Sequence, residues 1–183
     1  MSNAISPLRR QNGRGQPKLG QVRILPLNAS GKRLAVPLKL TDSGNAERFA
    51  AQHGENVRYC HQWRKWLVWG GRRWAIDDTG AVDRLGKMTV RALYKEGAQT
   101  DDRAVRESIG KWALSSESAP RRAALLKLAE SEQPLPIRVD SLDTDPWLLN
   151  CQNGTIDLKT GLLREHHRDD FITKLAPVEY DSQ

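Results

Sequence analysis

The stretch Asp145-Pro146-Trp147-Leu148-Leu149-Asn150-Cys151-Gln152-Asn153-Gly154-Thr155-Ile156-Asp157-Leu158-Lys159-Thr160-Gly161-Leu162-Leu163 decides the fold class. Ile156 and Leu158 alternate with polar Thr155 and Asp157, Lys159-Thr160-Gly161 supplies a turn with a glycine free to take positive φ, and Leu162-Leu163 resumes the apolar pattern. The spacing predicts a β-hairpin. Asn153-Gly154 is a strong turn dipeptide and predicts a sharp bend just before it. The stretch holds turn formers and core hydrophobes but no nucleophile, base or ligand cluster, so its first reading is structural.

Upstream, Ile137-Arg138-Val139 has the composition of a strand leading into this hairpin. Residues 80–133 are helical in pattern. Val82, Leu85, Met88 and Ala92 share one helical side. A second helix follows Thr100, with Asp101 and Asp102 at its electropositive start and Val105, Ile109 and Trp112 inward. A third starts near Pro120, whose ring suits a first turn, carries Ala124, Leu125, Leu128 and Ala129, and ends by Leu135 and Pro136. Before this block, Val57-Arg58-Tyr59-Cys60-His61 alternates, and residues 66–76 form two strands around Gly70-Gly71. A two-residue turn there sets Trp69 opposite Arg72 and Leu67 opposite Trp74. Leu67, Trp69, Trp74 and Ile76 then form the core face, and Trp66 and Arg73 the exposed pair. A helix over residues 45–52, capped by Asp42 or Ser43 and ended by Gly54, points Phe49 inward. Strands, helices and strands in blocks give an α+β fold: small antiparallel sheets or hairpins with a central helical block, in a single domain.

The net charge of +7 is unevenly placed. Residues 1–41 carry eight basic side chains, among them Arg9, Arg10, Arg14 and Lys18, and no acidic ones; removing them from 29 leaves 21 basic against 22 acidic groups. The domain is therefore nearly neutral, and the excess lies on an N-terminal arm that would attract polyanions by counterion release. Residues 1–20 are poor in large hydrophobes, which predicts a disordered basic arm. Residues 21–40 hold short apolar runs broken by Pro26 and Pro37, which predicts an extended lead-in. The domain proper is expected over residues 41–183. No apolar run reaches membrane-spanning length, and Cys60 and Cys151 fit as reduced thiols, so the expected compartment is cytoplasmic, with no membrane partner.

Three chemical patterns are set aside. Gly80 and Gly86-Lys87 suggest a phosphate loop, but five residues separate the glycines and Met88 follows Lys87, so the segment reads as an amphipathic helix. Asp143-Thr144-Asp145 has the spacing of a Mg²⁺-binding carboxylate pair, yet Asp145 before Pro146 reads more simply as turn chemistry. Cys60, His61, Cys151, His166 and His167 lack the paired-ligand spacing of structural zinc. No catalytic residue, metal or cofactor is expected in the chain. The remaining functional candidate is the Trp- and Arg-rich hairpin. Aromatic faces stack on unpaired bases while cations follow the phosphates, which selects Arg58, Arg64, Lys65, Trp66, Arg72 and Arg73, together with Arg9, Arg10, Arg14 and Lys18 of the arm. Trp69, Trp74, Trp112 and Trp147 read as core; Trp63 and Trp66 suit either role.

Residues 145–163, continuing through His166 or His167, Asp170, Ile172, Thr173, Lys174, Pro177, Val178, Tyr180 and Asp181, resemble the accessory domain that precedes the superfamily 3 helicase core in phage and plasmid primase-helicases, a family that includes poxvirus-type primase-helicases. Residues 41–49 are similar to the family's opening helix, and Trp66-Leu67-Val68-Trp69 to its tryptophan-rich hairpin. The resemblance implies a replication protein of a mobile element, with single-stranded or forked DNA, a superfamily 3 helicase core and a primase as partners. It does not carry ATPase or primase activity to this chain, which is expected to stop before the ATPase as a truncated or split gene. The sequence thus points to a non-catalytic accessory module that binds DNA and positions a helicase. A protein-docking or oligomerisation module for a helicase ring, and an inert gene fragment, are the alternatives.

Overall fold

The structure, a computed structural model, describes residues 39–181. The basic arm and all but Lys39 and Leu40 of the lead-in lie outside the described residues. Helix α1 (Asp42–His53) opens the domain and is followed by strands β1 (Val57–Cys60), β2 (Lys65–Trp69) and β3 (Trp74–Ile76). Three helices come next: α2 (Ala81–Ala98), α3 (Arg103–Ser116) and α4 (Ala119–Ala129). Strand β4 (Pro136–Ile137) returns to the first sheet, and β5 (Leu148–Cys151), β6 (Gly154–Asp157) and β7 (Leu162–Arg164) form a second one. The expected α+β architecture is present. The first sheet runs β3-β2-β1-β4, antiparallel except where β4 lies parallel to β1; the second is a β5-β6-β7 meander.

Helix α1 begins three residues before the predicted start because Thr41, not Asp42 or Ser43, is the cap. Its extended backbone lets the hydroxyl accept the Gly44 N–H at 3.0 Å, leaving Asp42 in the first turn where its charge suits the helix dipole. The apolar side of α1, Ala46, Phe49 and Ala50, packs with Val57, Val82, Val90, Leu125, Ala129 and Leu135 in the main core. Its other buried side is polar. Arg48, 1 % exposed, sets its Nε 3.2 Å from both carboxylate oxygens of Glu96 on α2, and donates through Nη1 to the carbonyls of Lys39 and Gly44. Lys39 O comes so near α1 that a Cβ on Gly44 would lie 2.0 Å from it, so only glycine admits the incoming chain.

The α2 stripe differs from the predicted one. Met88 is 59 % exposed, and the buried side runs through Val82, Gly86, Thr89, Val90, Leu93 and Gly97. Helix α3 follows prediction: Asp102 caps it through the Ala104 and Val105 N–H groups, Ile109 is buried, and Val105 and Trp112 pack beside it. On α4, Leu128 is exposed and Leu126 packs on the core instead. The predicted strand over residues 137–139 is cut short. Val139 N–H donates to Gln62 Oε1 at 2.8 Å rather than joining a ladder, and Val139–Ser141 turns as a 3-10 helix.

Strands β2 and β3 join through a four-residue loop, not the predicted two-residue turn. The pairs are Leu67 with Ile76, Val68 with Ala75 and Trp69 with Trp74, and Gly70 N–H donates to Arg73 O at 3.1 Å. Later parts of the chain hold the loop: Asn150 Nδ2 donates to Arg72 O within it, and the first β3 residue, Trp74, donates its N–H to Ile172 O. A slip of two keeps the paired side chains on their predicted faces, but Ile76, expected in the core, is 47 % exposed at the end of β3. The predicted hairpin at residues 156–163 is present as β6 and β7, with Gly161 at φ +74° in the turn; Leu158 lies past the end of β6 and is exposed. No helix among the described residues is long and apolar enough to cross a membrane.

The Arg48–Glu96 pair generates a test. Removing one member of a buried pair costs about 3–5 kcal/mol, whereas replacing both by apolar groups is close to neutral. Glu96→Leu should therefore lower the unfolding free energy by about that amount in urea titrations, and Arg48→Met combined with Glu96→Leu should recover at least half of it. Simple additivity of the two single losses would show that the groups act separately.

Candidate nucleic-acid interface

The six hairpin residues selected from the sequence do not form one surface. Arg58 turns inward: its guanidinium lies over the rings of Trp74 at 5.1 Å and Phe171 at 5.6 Å, and Nη1 donates to the carbonyls of Gly54 and Val57. Burial pushes its pKa down, with Asp169 opposing the shift and Arg168 adding to it. Arg72 donates through Nη1 to Gln152 Oε1 and Arg73 to Thr173 O, both at 3.2 Å. These two side chains fasten the β2–β3 loop to the C-terminal segment. Trp66, expected on an exposed side with Arg73, is half-buried. Its ring meets Tyr59 at 4.8 Å and Phe49 at 6.0 Å, because α1 covers the face that the sequence pattern left open. Arg9, Arg10, Arg14 and Lys18 lie outside the described residues.

Arg64 and Lys65 have a different setting. Residues 61–64 turn from β1 into β2, closed by Arg64 N–H donating to His61 O, with Arg64 at φ +55°. A left-handed arginine is a strained residue that persists only where its surroundings fix it. Here two neighbours do so. His61 stands edge-on to Tyr59, with Nε2 2.9 Å from Glu130 O, and Gln62 accepts the Val139 N–H. The anchored turn holds out Trp63, 39 % exposed, beside Arg64 and Lys65, which make no ion pair among the described residues. Below the turn, His61, Gln62, Gln133, Pro136, Ile137 and Arg138 line a hollow of about 480 Å³. An exposed ring, two unpaired cations and an apolar hollow on a rigid turn form a surface suited to unpaired bases and their phosphates.

The other chemical candidates have structural duties. Asp143 accepts the Thr173 N–H at 2.8 Å and hydroxyl at 2.6 Å, tethering the C-terminal segment, and Asp145 accepts the Trp147 N–H in a local turn. Cys60 is buried in the first sheet and Cys151 in the second. His166 donates from Nδ1 to Asn150 Oδ1 at 2.8 Å. No group of three His, Cys, Asp or Glu residues with metal-binding proximity occurs among the described residues. Gly80 and Lys87 belong to the cap and body of α2. Trp147, expected in the core, is 48 % exposed with the Lys159 ammonium 5.4 Å from its ring.

In comparison with known protein families, a family model described as D5 N terminal like matches residues 46–183. No curated protein matches the chain.

The placement of Trp66 is open to a stability measurement. Trp66→Ala removes ring contacts from the core edge and should cost about 2–3 kcal/mol, less than a fully buried tryptophan because Trp66 keeps some exposure. A melting temperature unchanged from wild type would return Trp66 to the surface.

Proposed function

Because this chain belongs to the D5 N-terminal-like family, an N-terminal domain of phage and plasmid primase-helicases, we propose that it binds single-stranded or forked DNA and positions a superfamily 3 helicase core on it. The observation carrying this reading is the anchored β1–β2 turn, with Trp63 exposed between its tethers and the cations Arg64 and Lys65. Trp63 stacks on a base, and the two cations follow the flanking phosphates. The basic arm, with Arg9, Arg10, Arg14 and Lys18, adds phosphate contacts without sequence readout. The module performs no chemistry itself and requires no cofactor; catalysis belongs to the helicase core and to a primase.

A second reading has its own observation. Leu149, Ile156 and Leu163 stand in register across β5, β6 and β7, and of these only Ile156 is buried; Leu158, Leu162 and Val178 are also exposed. Leu149 and Leu163 flank Ile156 on one face of the sheet while Leu162 lies on the other, and exposed apolar side chains on such a sheet mark protein contacts, which supports docking onto a helicase ring through the second sheet.

Fluorescence anisotropy with single-stranded and forked oligonucleotides tests the first reading. Trp63→Ala with Arg64→Glu and Lys65→Glu should weaken binding by about tenfold or more, since one stacked base contributes roughly 1–3 kcal/mol, while the melting temperature stays near wild type. Unchanged affinity would leave docking as the better reading. Deleting residues 1–20 should in addition flatten the salt dependence by about three counterions, at roughly 0.7 per lost phosphate contact on a single strand. An unaltered slope would remove the arm from the interface.

A further inference from the structure

Five side chains enclose a cleft of about 200 Å³ between α2 and the α3–α4 junction: Lys87, Val90 and Arg91 on α2, Glu117 at the end of α3, and Arg122 in the first turn of α4. Its space equals that of roughly six or seven water molecules, enough for one tetrahedral oxyanion and part of its hydration. Donors outnumber acceptors around it. Arg91 Nε stands 4.0 Å from Glu117 Oε2, beyond hydrogen-bonding distance, and the other oxygen of Glu117 accepts the Tyr94 hydroxyl at 3.1 Å. Lys87 is exposed, with no hydrogen bond or ion pair among the described residues. Arg122 donates from Nη1 to Asp83 Oδ2 at 3.3 Å, but its Nε is buried without an acceptor. Even with Asp83 counted, three cations face two carboxylates. At the α3–α4 junction the negative end of α3 adjoins the positive end of α4, so the helix dipoles oppose each other there and the positive field of the cleft comes from its side chains.

We propose that this cleft is a binding site for a phosphoryl oxyanion. The accessible part of the Arg122 guanidinium, a second guanidinium on Arg91 and the Lys87 ammonium supply the charge-assisted donors that a phosphate group accepts. Lys87 and Arg91, one helical turn apart on α2, present their charges on the same side of that helix. The site is separate from the β1–β2 turn and does not rest on the reading given to that turn. Two sources share the chemistry: free phosphate, and the phosphodiester backbone of a nucleic acid.

The test uses the full chain and the variant Lys87→Gln with Arg91→Gln, both at exposed positions. Inorganic phosphate titrated against chloride at constant ionic strength should raise the melting temperature of the wild type, and the double substitution should weaken that binding by about tenfold or more. A single-stranded oligonucleotide titrated in chloride forms the second arm. If phosphate alone has no effect but the oligonucleotide binds the double variant more weakly and with a shallower salt slope, the site takes the backbone phosphodiester. If neither ligand distinguishes wild type from the double variant, the proposal is overturned, whatever the Trp63 variant does.

Discussion

The join of α1, α2 and the entering chain is arranged around the buried Arg48 side chain. A charge this deeply enclosed must be matched and hydrogen-bonded, or the fold that encloses it is lost. Glu96 provides the match from α2, and the carbonyls of Gly44 and Lys39 take further N–H groups. One side chain thus fixes the distance between two helices and the path by which the chain enters the domain. Neighbouring polar contacts extend the same constraint. Asn45 donates to Ser116 Oγ and accepts the Trp112 indole N–H, tying α1 to α3. His53, with Nε2 3.0 Å from Thr89 Oγ1, ties α1 to α2; burial lowers its pKa to about 4, so it is neutral at neutral pH. Helix α1 is therefore a two-sided element: its apolar side packs on β1, α4 and Val82 and Val90 of α2, and its polar side reaches Thr89 and Glu96 of α2 and Trp112 and Ser116 of α3.

This explains which parts of the fold the sequence discloses. Helix and strand identity is carried by periodicity, and Phe49, Val57, Ile109 and Leu125 are buried as their spacing predicts. Polar burial carries no periodic signal: Arg48, Asn45, Thr89 and Glu96 look like surface residues until partners distant in sequence meet them. The α2 stripe was misread for the opposite reason. Gly86 and Gly97 have no apolar side chain to register, yet they lie under Leu126 and Ile109, where an added Cβ would come within 3.2 and 3.3 Å of a side-chain carbon. The β2–β3 register depended on Asn150 and Ile172, about 80 to 100 residues away.

The candidate interface was legible in composition but not in placement. Arginines and tryptophans along residues 58–73 announce a surface for nucleic acid, and half of that promise is spent on contacts within the molecule. Arg58 stacks under two rings, while Arg72 and Arg73 bind the C-terminal segment. Trp63 emerges because His61 and Gln62 are held by Glu130 and Val139, partners beyond the reach of local pattern. The phosphate cleft is equally non-local, joining α2 to the start of α4.

The second sheet is attached to the domain in a way that differs from the rest. None of the three apolar clusters among the described residues draws a side chain from β5, β6 or β7. Asn150 holds the seam instead, donating to Arg72 O and Lys174 O and accepting from Thr155 and His166. Opening such a seam releases hydrogen bonds but uncovers little hydrocarbon, and the denaturant sensitivity of an unfolding step scales with the surface it exposes. Detachment of the sheet is accordingly expected to have a low m-value and to be set by hydrogen-bond exchange with water, separately from the cooperative unfolding of the helical core.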